Sequence, residues 1–283
     1  MTIREALLSA ERRMTDAGVP DPHIDAEWMM EAVTGLGRMQ QKLQSAKELT
    51  PEQEQRFSSL LLSRANREPV QYLLGEQYFY GLRFHVTPDV LIPRQETEEL
   101  CEWGLSFLQK QPAPTALDLC TGSGAIAVTL AYRCPKAEVT ASDLSGNALG
   151  VAQKNALANG VNVRFLQGDL WEPLEGMKFD LILSNPPYIP SLECDTLQPE
   201  VMREPRMALD GGADGLDFYR RIAQGAQEHL NPGGMIAVEL GIGEAEDVAE
   251  MFRRAGLADV EIRKDLYGVE RMVGARRRRE DHV

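Results

Sequence analysis

Short apolar runs alternate with helical stretches from about residue 115 onward, and this alternation constrains the fold more than any other feature. An order of strand, helix, strand predicts a mostly parallel sheet with helices on both faces. No helix-forming stretch separates the last two runs, so we expect an antiparallel strand at the edge. The seven predicted strands are Ala116–Leu119, Ala137–Ser142, Val163–Gln167, Phe179–Ser184, Met235–Leu240, Val260–Lys264 and Arg271–Val273.

Residues 1–75 are predicted to form a small, separate helical domain. Apolar residues recur there at helical spacing, and Thr50 with Gln53 is typical of a capping box at a helix start. The pattern changes over 76–94, where alternating aromatic and apolar residues around Gly81 predict a β-hairpin linker. Residues 95–283 then hold the alternating region as a further domain.

Composition excludes several classes of protein. Lys and Arg number 30 against 43 Asp and Glu, a net charge of −13, which disfavours a protein that binds duplex DNA by bulk charge. Residues 1–10 contain Arg4 and Glu5 and no long apolar run, so we expect no signal peptide; no stretch of 18 apolar residues occurs, so we also expect no membrane span. The four cysteines form no metal-binding spacing, so we expect reduced thiols, no metal and a cytoplasmic location. Arg276–Arg279 is predicted to be a solvated, disordered basic tail.

A glycine-rich loop leads from the first of these strands into a helix. The segment from Leu117 to Gly124 contains Asp118, Thr121 and Gly122, and its glycines expose backbone N–H groups to a ligand. It matches neither phosphate-binding fingerprint, and Asp118 would repel a pyrophosphate. We therefore expect a ligand with positive charge, hydroxyls or amines; the alternative is a tight turn without a ligand.

Two more acids follow neighbouring strands. Asp143 ends the second strand, where a carboxylate can accept hydrogen bonds from a ribose diol, or can cap the next helix. Asp169 follows the third strand and is otherwise a solvated loop acid. Ligands of open α/β sheets bind at the carboxyl ends of the strands, so these acids and the glycine loop are expected to share one site.

An Asn-Pro-Pro-Tyr motif at 185–188 ends the fourth strand. Neither proline can donate to the sheet, so the Asn185 side chain and the Pro186 carbonyl can face outward as two acceptors. Two acceptors can hold both hydrogens of an amino group, and Tyr188 offers a stacking face. This pattern suits a planar amino nitrogen, either of a nucleobase or of a glutamine amide, and the motif alone does not choose between them.

The loop and the acids resemble those of class I S-adenosylmethionine-dependent methyltransferases. The resemblance implies a Rossmann-like α/β domain, with S-adenosyl-L-methionine as cofactor and S-adenosyl-L-homocysteine as product. The loop would surround the methionine and sulfonium, Asp143 the ribose, and Asp169 the adenine region. The implied cofactor-binding residues are Asp118, Thr121, Gly122, Gly124, Asp143, Asp169, Leu170 and Asn185.

The whole chain resembles the release-factor glutamine methyltransferase family (PrmC/HemK). The resemblance rests on several ordered segments, among them 68–75, 91–98, 211–216 and 265–271. It implies N5-methylation of the glutamine in the Gly-Gly-Gln motif of class I peptide-chain release factors, by in-line transfer to an amide held by Asn185 and the Pro186 carbonyl. Asn185, Pro186 and Tyr188 are the implied catalytic residues, and Pro187 joins them in binding substrate.

The resemblance also implies partners and leaves alternatives. The helical domain would help to grip the release factor, and we expect a monomer that binds neither DNA nor membrane. The alternatives are an adenine-N6 DNA methyltransferase, a glutamine methyltransferase acting on ribosomal protein L3, and a non-enzymatic cofactor-binding adaptor on the translation machinery, which the intact Asn185 acceptor disfavours. A DNA enzyme should carry a basic DNA-reading domain, which this acidic chain lacks.

Overall fold

A computed structural model describes residues 1–279 and divides the chain into two units. The first unit holds Met1–Glu76 together with a distant segment, Gln198–Arg203, and the second holds the rest. We predicted a separate hairpin linker over 76–94, whereas the structure assigns Gln77 onward to the second unit. No helix among residues 1–279 is long and apolar enough to cross a membrane.

The first unit is helical, as the spacing of its apolar residues predicts. Met14, Met29 and Phe57 lie in its core, each no more than 1% exposed. Thr50 caps the fourth helix in a reciprocal capping box with Gln53, as predicted. Its helices are α1 (Ile3–Asp16), α2 (Pro22–Thr34), α3 (Arg38–Leu43), α4 (Pro51–Ala65) and α5 (Val70–Leu74).

A buried ion cluster fixes the distant segment within this unit. Arg64 Nε donates to Asp25 Oδ2 at 2.7 Å, and Arg64 Nη1 donates to Glu200 Oε1 at 2.8 Å. Arg67 Nη2 donates to the other oxygen of Glu200 at 2.5 Å. No local sequence pattern predicts this cluster, because Glu200 lies far from both arginines along the chain.

The second unit contains a seven-stranded sheet, which confirms the predicted architecture. The strands are β1 (Glu76–Phe79), which starts at the last residue of the first unit, β2 (Leu82–His85), β3 (Thr115–Leu119), β4 (Glu138–Asp143), β5 (Arg164–Gln167), β6 (Phe179–Ser184), β7 (Leu230–Glu239), β8 (Ala258–Lys264) and β9 (Glu270–Arg276). The order in the seven-stranded sheet is β5-β4-β3-β6-β7-β9-β8, with β9 antiparallel to both of its neighbours and the other pairs parallel. The order reverses between β3 and β6, which makes that junction the expected ligand position.

Helices cover both faces of this sheet. One buried cluster includes Leu100 and Leu130, and the other includes Ile222 and Phe252. The hairpin β1–β2 belongs to the first cluster, where Phe79 and Phe84 meet edge to face. The helices are α6 (Gln95–Leu108), α7 (Ala125–Arg133), α8 (Gly146–Ala158), α9 (Asp217–His229) and α10 (Ala245–Arg254).

The basic segment at 276–279 differs from its prediction as a disordered tail. Arg276 is the last residue of β9, and its guanidinium lies 5.2 Å from the centroid of the Phe107 ring. Arg277 Nη1 donates to the Leu230 carbonyl at 2.8 Å. Ring and carbonyl contacts thus anchor the start of this segment; residues 280–283 lie outside the described part of the chain.

Candidate functional site

A cavity of about 340 Å³ opens at the carboxyl edge of the sheet in the second unit. This size lies within the range of small-molecule sites. The loops that follow β3, β4, β5 and β6 all contribute to its wall, as the strand-end argument predicts. The predicted site residues on the wall are Thr121, Gly122, Asp143, Asp169, Leu170, Asn185 and Pro187.

The glycine loop reaches this cavity at Gly122 but not at Gly124. Gly122 has a φ of +54°, and a Cβ placed on it would meet no atom within 4 Å. Gly124, by contrast, has a φ of +81°, and its Cβ would lie 3.0 Å from the Cβ of Ala152 on α8. We expected Gly124 to bind cofactor; the structure instead uses it for close packing of α7 against α8.

Asp118 lies behind the loop rather than on the cavity wall. It is fully buried, and its Oδ2 accepts from Thr121 Oγ1 at 2.6 Å and from the Ala127 amide at 3.0 Å. Burial raises the pKa of Asp118 to about 7. The prediction that Asp118 surrounds a sulfonium is therefore not supported by its position, which fastens the loop to the start of α7.

Asp143 connects the glycine loop with the loop after β4. Its Oδ2 accepts from the Gly122 amide at 2.8 Å and its Oδ1 from the Ser145 amide at 2.8 Å. Burial raises the pKa of Asp143, and these backbone donors oppose that shift. The cap of α8 is Ser145, whose side chain accepts from the Ala148 amide, so the alternative role of Asp143 as the cap is excluded. A carboxylate has about four lone-pair positions, so two remain for a ligand.

Asp169 and Leu170 follow β5 and form part of the cavity wall. Asp169 pairs with Arg221 of α9 at 2.8 Å, and Arg221 also lines the cavity. Leu170 is 5% exposed and adopts a φ of +49°. The acid is thus held in place by a cation that the sequence did not single out.

Cys120 occupies the position after β3 in a left-handed conformation, with a φ of +64°. This conformation favours glycine. Cys120 lines the cavity, and burial raises the pKa of its thiol. The loop therefore keeps the glycine geometry while it carries a neutral thiol side chain.

Asn185 lies beside the glycine loop because β6 and β3 are neighbours. Leu119 and Ser184 are register partners, and Ser184 Oγ donates to the Leu119 carbonyl at 2.6 Å. The Asn185 Nδ2 donates to Thr97 Oγ1 at 3.1 Å. Asn185 lines the cavity, so its position agrees with the predicted acceptor role.

The remaining motif residues differ in their placement. Pro187 lines the cavity, whereas Pro186 is buried and Tyr188 packs against the apolar cluster on the α9 side of the sheet. Burial raises the pKa of the Tyr188 phenol. Neither Pro186 nor Tyr188 belongs to the cavity wall, so the stacking role of Tyr188 is not supported by this arrangement.

A second wall of the cavity is formed by two segments that are distant in sequence. Residues 89–94 precede α6, and residues 205–210 follow the Asn-Pro-Pro-Tyr loop. Arg94 forms an ion pair with the buried Glu204, whose other oxygen accepts from the Ile92 amide at 2.9 Å. The Ile-Pro-Arg and Glu-Pro segments were the available signals, and only folding shows that they meet.

The reversal in strand order, the glycine loop and the strand-end asparagine together define a methyltransferase of the class I, Rossmann-like fold. Residues 101–242 match the family "Methyltransferase small domain", and residues 5–75 match "PrmC N-terminal domain". A crystal structure of a methyltransferase from Pyrococcus furiosus shares this fold, with a TM-score of 0.55 and 21% identity over 78% of this chain and 98% of that one.

Full-length relatives assign the chain to a particular family. It is 47% identical to the release factor glutamine methyltransferase of Geobacter sulfurreducens, over 97% of this chain and 96% of the relative. The corresponding protein of Moorella thermoacetica is 43% identical, over 99% and 100%. The chain belongs to the release factor glutamine methyltransferase family.

Proposed function

We propose that this protein transfers a methyl group from S-adenosyl-L-methionine to the side-chain amide nitrogen of a glutamine in a release factor. The observation that carries the proposal is the position of Asn185, at the end of β6 and on the wall of the cavity beside the glycine loop. The names of the relatives supply the substrate, and the Gly-Gly-Gln glutamine of class I release factors is the residue that the family resemblance implies.

The residues of the cavity fit the proposed cofactor. Asp143 retains lone pairs for a ribose diol, Gly122 leaves open space above its backbone, and Asp169 with Leu170 borders the adenine region. Ser142 also lines the cavity, and its buried Oγ has no hydrogen-bond partner among the described residues. When bound, S-adenosylmethionine supplies an electrophilic methyl group on a sulfonium.

Asn185 would orient the substrate amide rather than act as a base. Its Nδ2 is occupied by Thr97, so Oδ1 is the atom available to accept a hydrogen bond from the glutamine N–H. An acceptor placed there favours the positive charge that develops on the nitrogen and aligns its lone pair. From the family resemblance alone, we also propose the Pro186 carbonyl as the second acceptor and Pro187 and Tyr188 as further substrate contacts; of these three residues, Pro187 is the one that lines the cavity.

The helical first unit is proposed to contribute to release-factor binding. Residues 5–75 match the family "PrmC N-terminal domain", and this match supports the proposal. We further propose that the protein acts as a cytoplasmic monomer. We also propose that it does not bind DNA, and its net charge of −13 supports this second statement.

One assay tests the proposal. The protein is incubated with radiolabelled S-adenosylmethionine and one of three acceptors: a release factor, the same factor with its Gly-Gly-Gln glutamine replaced by alanine, or duplex DNA. We expect label only on the release factor that retains its Gly-Gly-Gln glutamine. Label on DNA adenine without label on the factor would sink the proposal.

A variant of the acceptor separates chemistry from binding. Asn185→Ala should lower the transfer rate by on the order of 100-fold or more, because one oriented acceptor is lost. Binding of S-adenosylmethionine, measured by calorimetry, should change by less than about threefold. Asn162→Ala, in an exposed loop before β5, is the matched control and should retain full activity. Unchanged turnover in Asn185→Ala would show that Asn185 is not the acceptor that orients the substrate amide.

A further inference from the structure

Two side chains continue the hydrogen-bond chain from Asn185: Thr97, which lines the cavity and is described above only as the partner of Nδ2, and Glu239, which has no role in the function described above. Asn185 Nδ2 donates to Thr97 Oγ1 at 3.1 Å, and Thr97 Oγ1 donates to Glu239 Oε2 at 2.6 Å. Thr97 is 4% exposed and Glu239 is 3% exposed. Water therefore does not compete readily for these contacts.

The two ends of an asparagine amide have nearly the same shape but opposite hydrogen-bonding character. The partners of the amide therefore decide whether Oδ1 or Nδ2 faces a given direction. Transfer to an amide nitrogen requires an acceptor at this position, because a donor would face the N–H of the substrate. A reversed Asn185 side chain would thus be inactive although it fills the same space.

The hydroxyl of Thr97 carries one proton, and Glu239 accepts it. Thr97 can then only accept a hydrogen bond from Asn185, which is compatible with Nδ2 and incompatible with Oδ1. Without Glu239 the same hydroxyl could donate to Oδ1 and stabilise the reversed amide. The carboxylate thereby selects the amide orientation through the threonine.

We propose that Thr97 and Glu239 are positioning residues that hold Asn185 with its Oδ1 toward the substrate amide. This inference rests on the proposed function, since it explains why the acceptor end faces the cavity. The sheet supplies the geometry: Glu239 ends β7, next to β6, and Tyr219 on α9 donates its hydroxyl to the Glu239 carbonyl at 2.8 Å. Thr97 lies in the first turn of α6.

The charge of Glu239 depends on several elements around it. Burial raises its pKa to about 7, and the Thr97 hydrogen bond and the two nearby arginines oppose this rise. Protonated Glu239 can itself donate to Thr97, which frees the hydroxyl proton for Oδ1. The titratable or charged groups that face it are Glu96 and Arg94 at the start of α6, Cys101 on α6, Tyr188 after β6, Tyr219 on α9 and Arg271 on β9.

The first test removes the hydroxyl of Thr97 with little change in shape. Thr97→Val should lower kcat by on the order of 100-fold, as expected for a misplaced reacting group, while the Kd for S-adenosylmethionine changes by less than about threefold. Thr97→Ser keeps the hydroxyl and should retain at least about a third of the activity. Thr129→Val removes another fully buried threonine hydroxyl, on α7, and should leave kcat unchanged. Equal losses in Thr97→Val and Thr129→Val would overturn the proposal.

The second test uses the carboxylate. In the wild type, kcat should fall as the pH drops through about 7, and Glu239→Gln, whose side chain cannot titrate, should lack this acidic limb. The side-chain amide resonances of Asn185, assigned by their loss in Asn185→Ala, should titrate in the wild type but not in Glu239→Gln. A Glu239→Gln variant that keeps both the acidic limb and the titrating resonances contradicts the proposal.

The amide resonances also separate this inference from the proposed function. If the wild type methylates no release factor, the substrate assignment fails, and the resonances still report on the amide. Their shift in Thr97→Val and Glu239→Gln then supports the positioning chain, and their constancy overturns it.

Discussion

Asp143 and Gly122 join the two loops on which cofactor binding is proposed to depend. The carboxylate Oδ2 of Asp143 accepts from the Gly122 amide at 2.8 Å, so the loop after β4 fixes the backbone of the loop after β3. The Ser145 amide occupies the other oxygen. One side chain thus organises the wall of the cavity and keeps lone pairs for a ligand.

Replacement of Asp143 should weaken cofactor binding. Asp143→Ala removes both loop contacts and the proposed ribose acceptor, each a charge-assisted hydrogen bond worth about 1.5–3 kcal/mol. We expect the Kd for S-adenosylmethionine to rise at least about 10-fold in calorimetry. Asp16→Ala removes an exposed carboxylate of α1 and should leave the Kd unchanged. An unaltered Kd in Asp143→Ala would exclude this residue from the cofactor site.

Replacement of two glycines by alanine should change the free energy of unfolding in opposite directions. Gly124 has a φ of +81° and no room beside Ala152, so Gly124→Ala should destabilise the protein by about 1–3 kcal/mol. Gly150 lies inside α8 with open space around it, so Gly150→Ala should stabilise by about 0.5–1 kcal/mol. Urea unfolding measures both. Similar changes in the two variants would contradict the packing role of Gly124.

Asp118 should make stability depend on pH. In the folded protein the pKa of Asp118 is about 7, above the usual value of 3.8. Between these two pH values the folded state keeps a proton that the unfolded state has lost. The stabilisation is complete below the unfolded value and is lost as the pH rises through about 7. The free energy of unfolding of Asp118→Asn, minus that of the wild type, should therefore be larger at pH 8 than at pH 5 when both are measured by urea unfolding. An equal difference between the two proteins at both pH values would show that the buried carboxyl does not titrate in this way.

The ion cluster of the first unit should be sensitive to the loss of Arg64. Arg64→Ala leaves Asp25 and Glu200 without their shared buried cation, which typically costs about 3–5 kcal/mol. Arg56→Ala changes an exposed arginine of the same helix and should cost less than about 0.5 kcal/mol. Scanning calorimetry of the full chain compares them. A loss of stability no larger in Arg64→Ala than in Arg56→Ala would contradict the assigned contacts.

Much of the second unit follows from local pattern. The apolar run at Phe179–Ser184 predicts a strand, and β6 has these same bounds. Apolar periodicity and the short range of helix and strand hydrogen bonds are properties of the local sequence. The prolines after Asn185 likewise fix the end of β6 without help from distant residues.

The site itself depended on contacts that no local pattern contains. Asp118 and Asp143 are both acids beside glycine loops, yet folding buries the first and places the second on the cavity wall. In the sequence, Thr97 is one residue of an acidic helix start and Glu239 is the last residue of a strand. No local pattern marks either residue as part of the site. The strand-end motifs and the order of elements were thus determined by the sequence alone. The order of strands in the sheet, which only the tertiary structure decides, brings β6 between β3 and β7 and so places Asn185 between the glycine loop and Glu239.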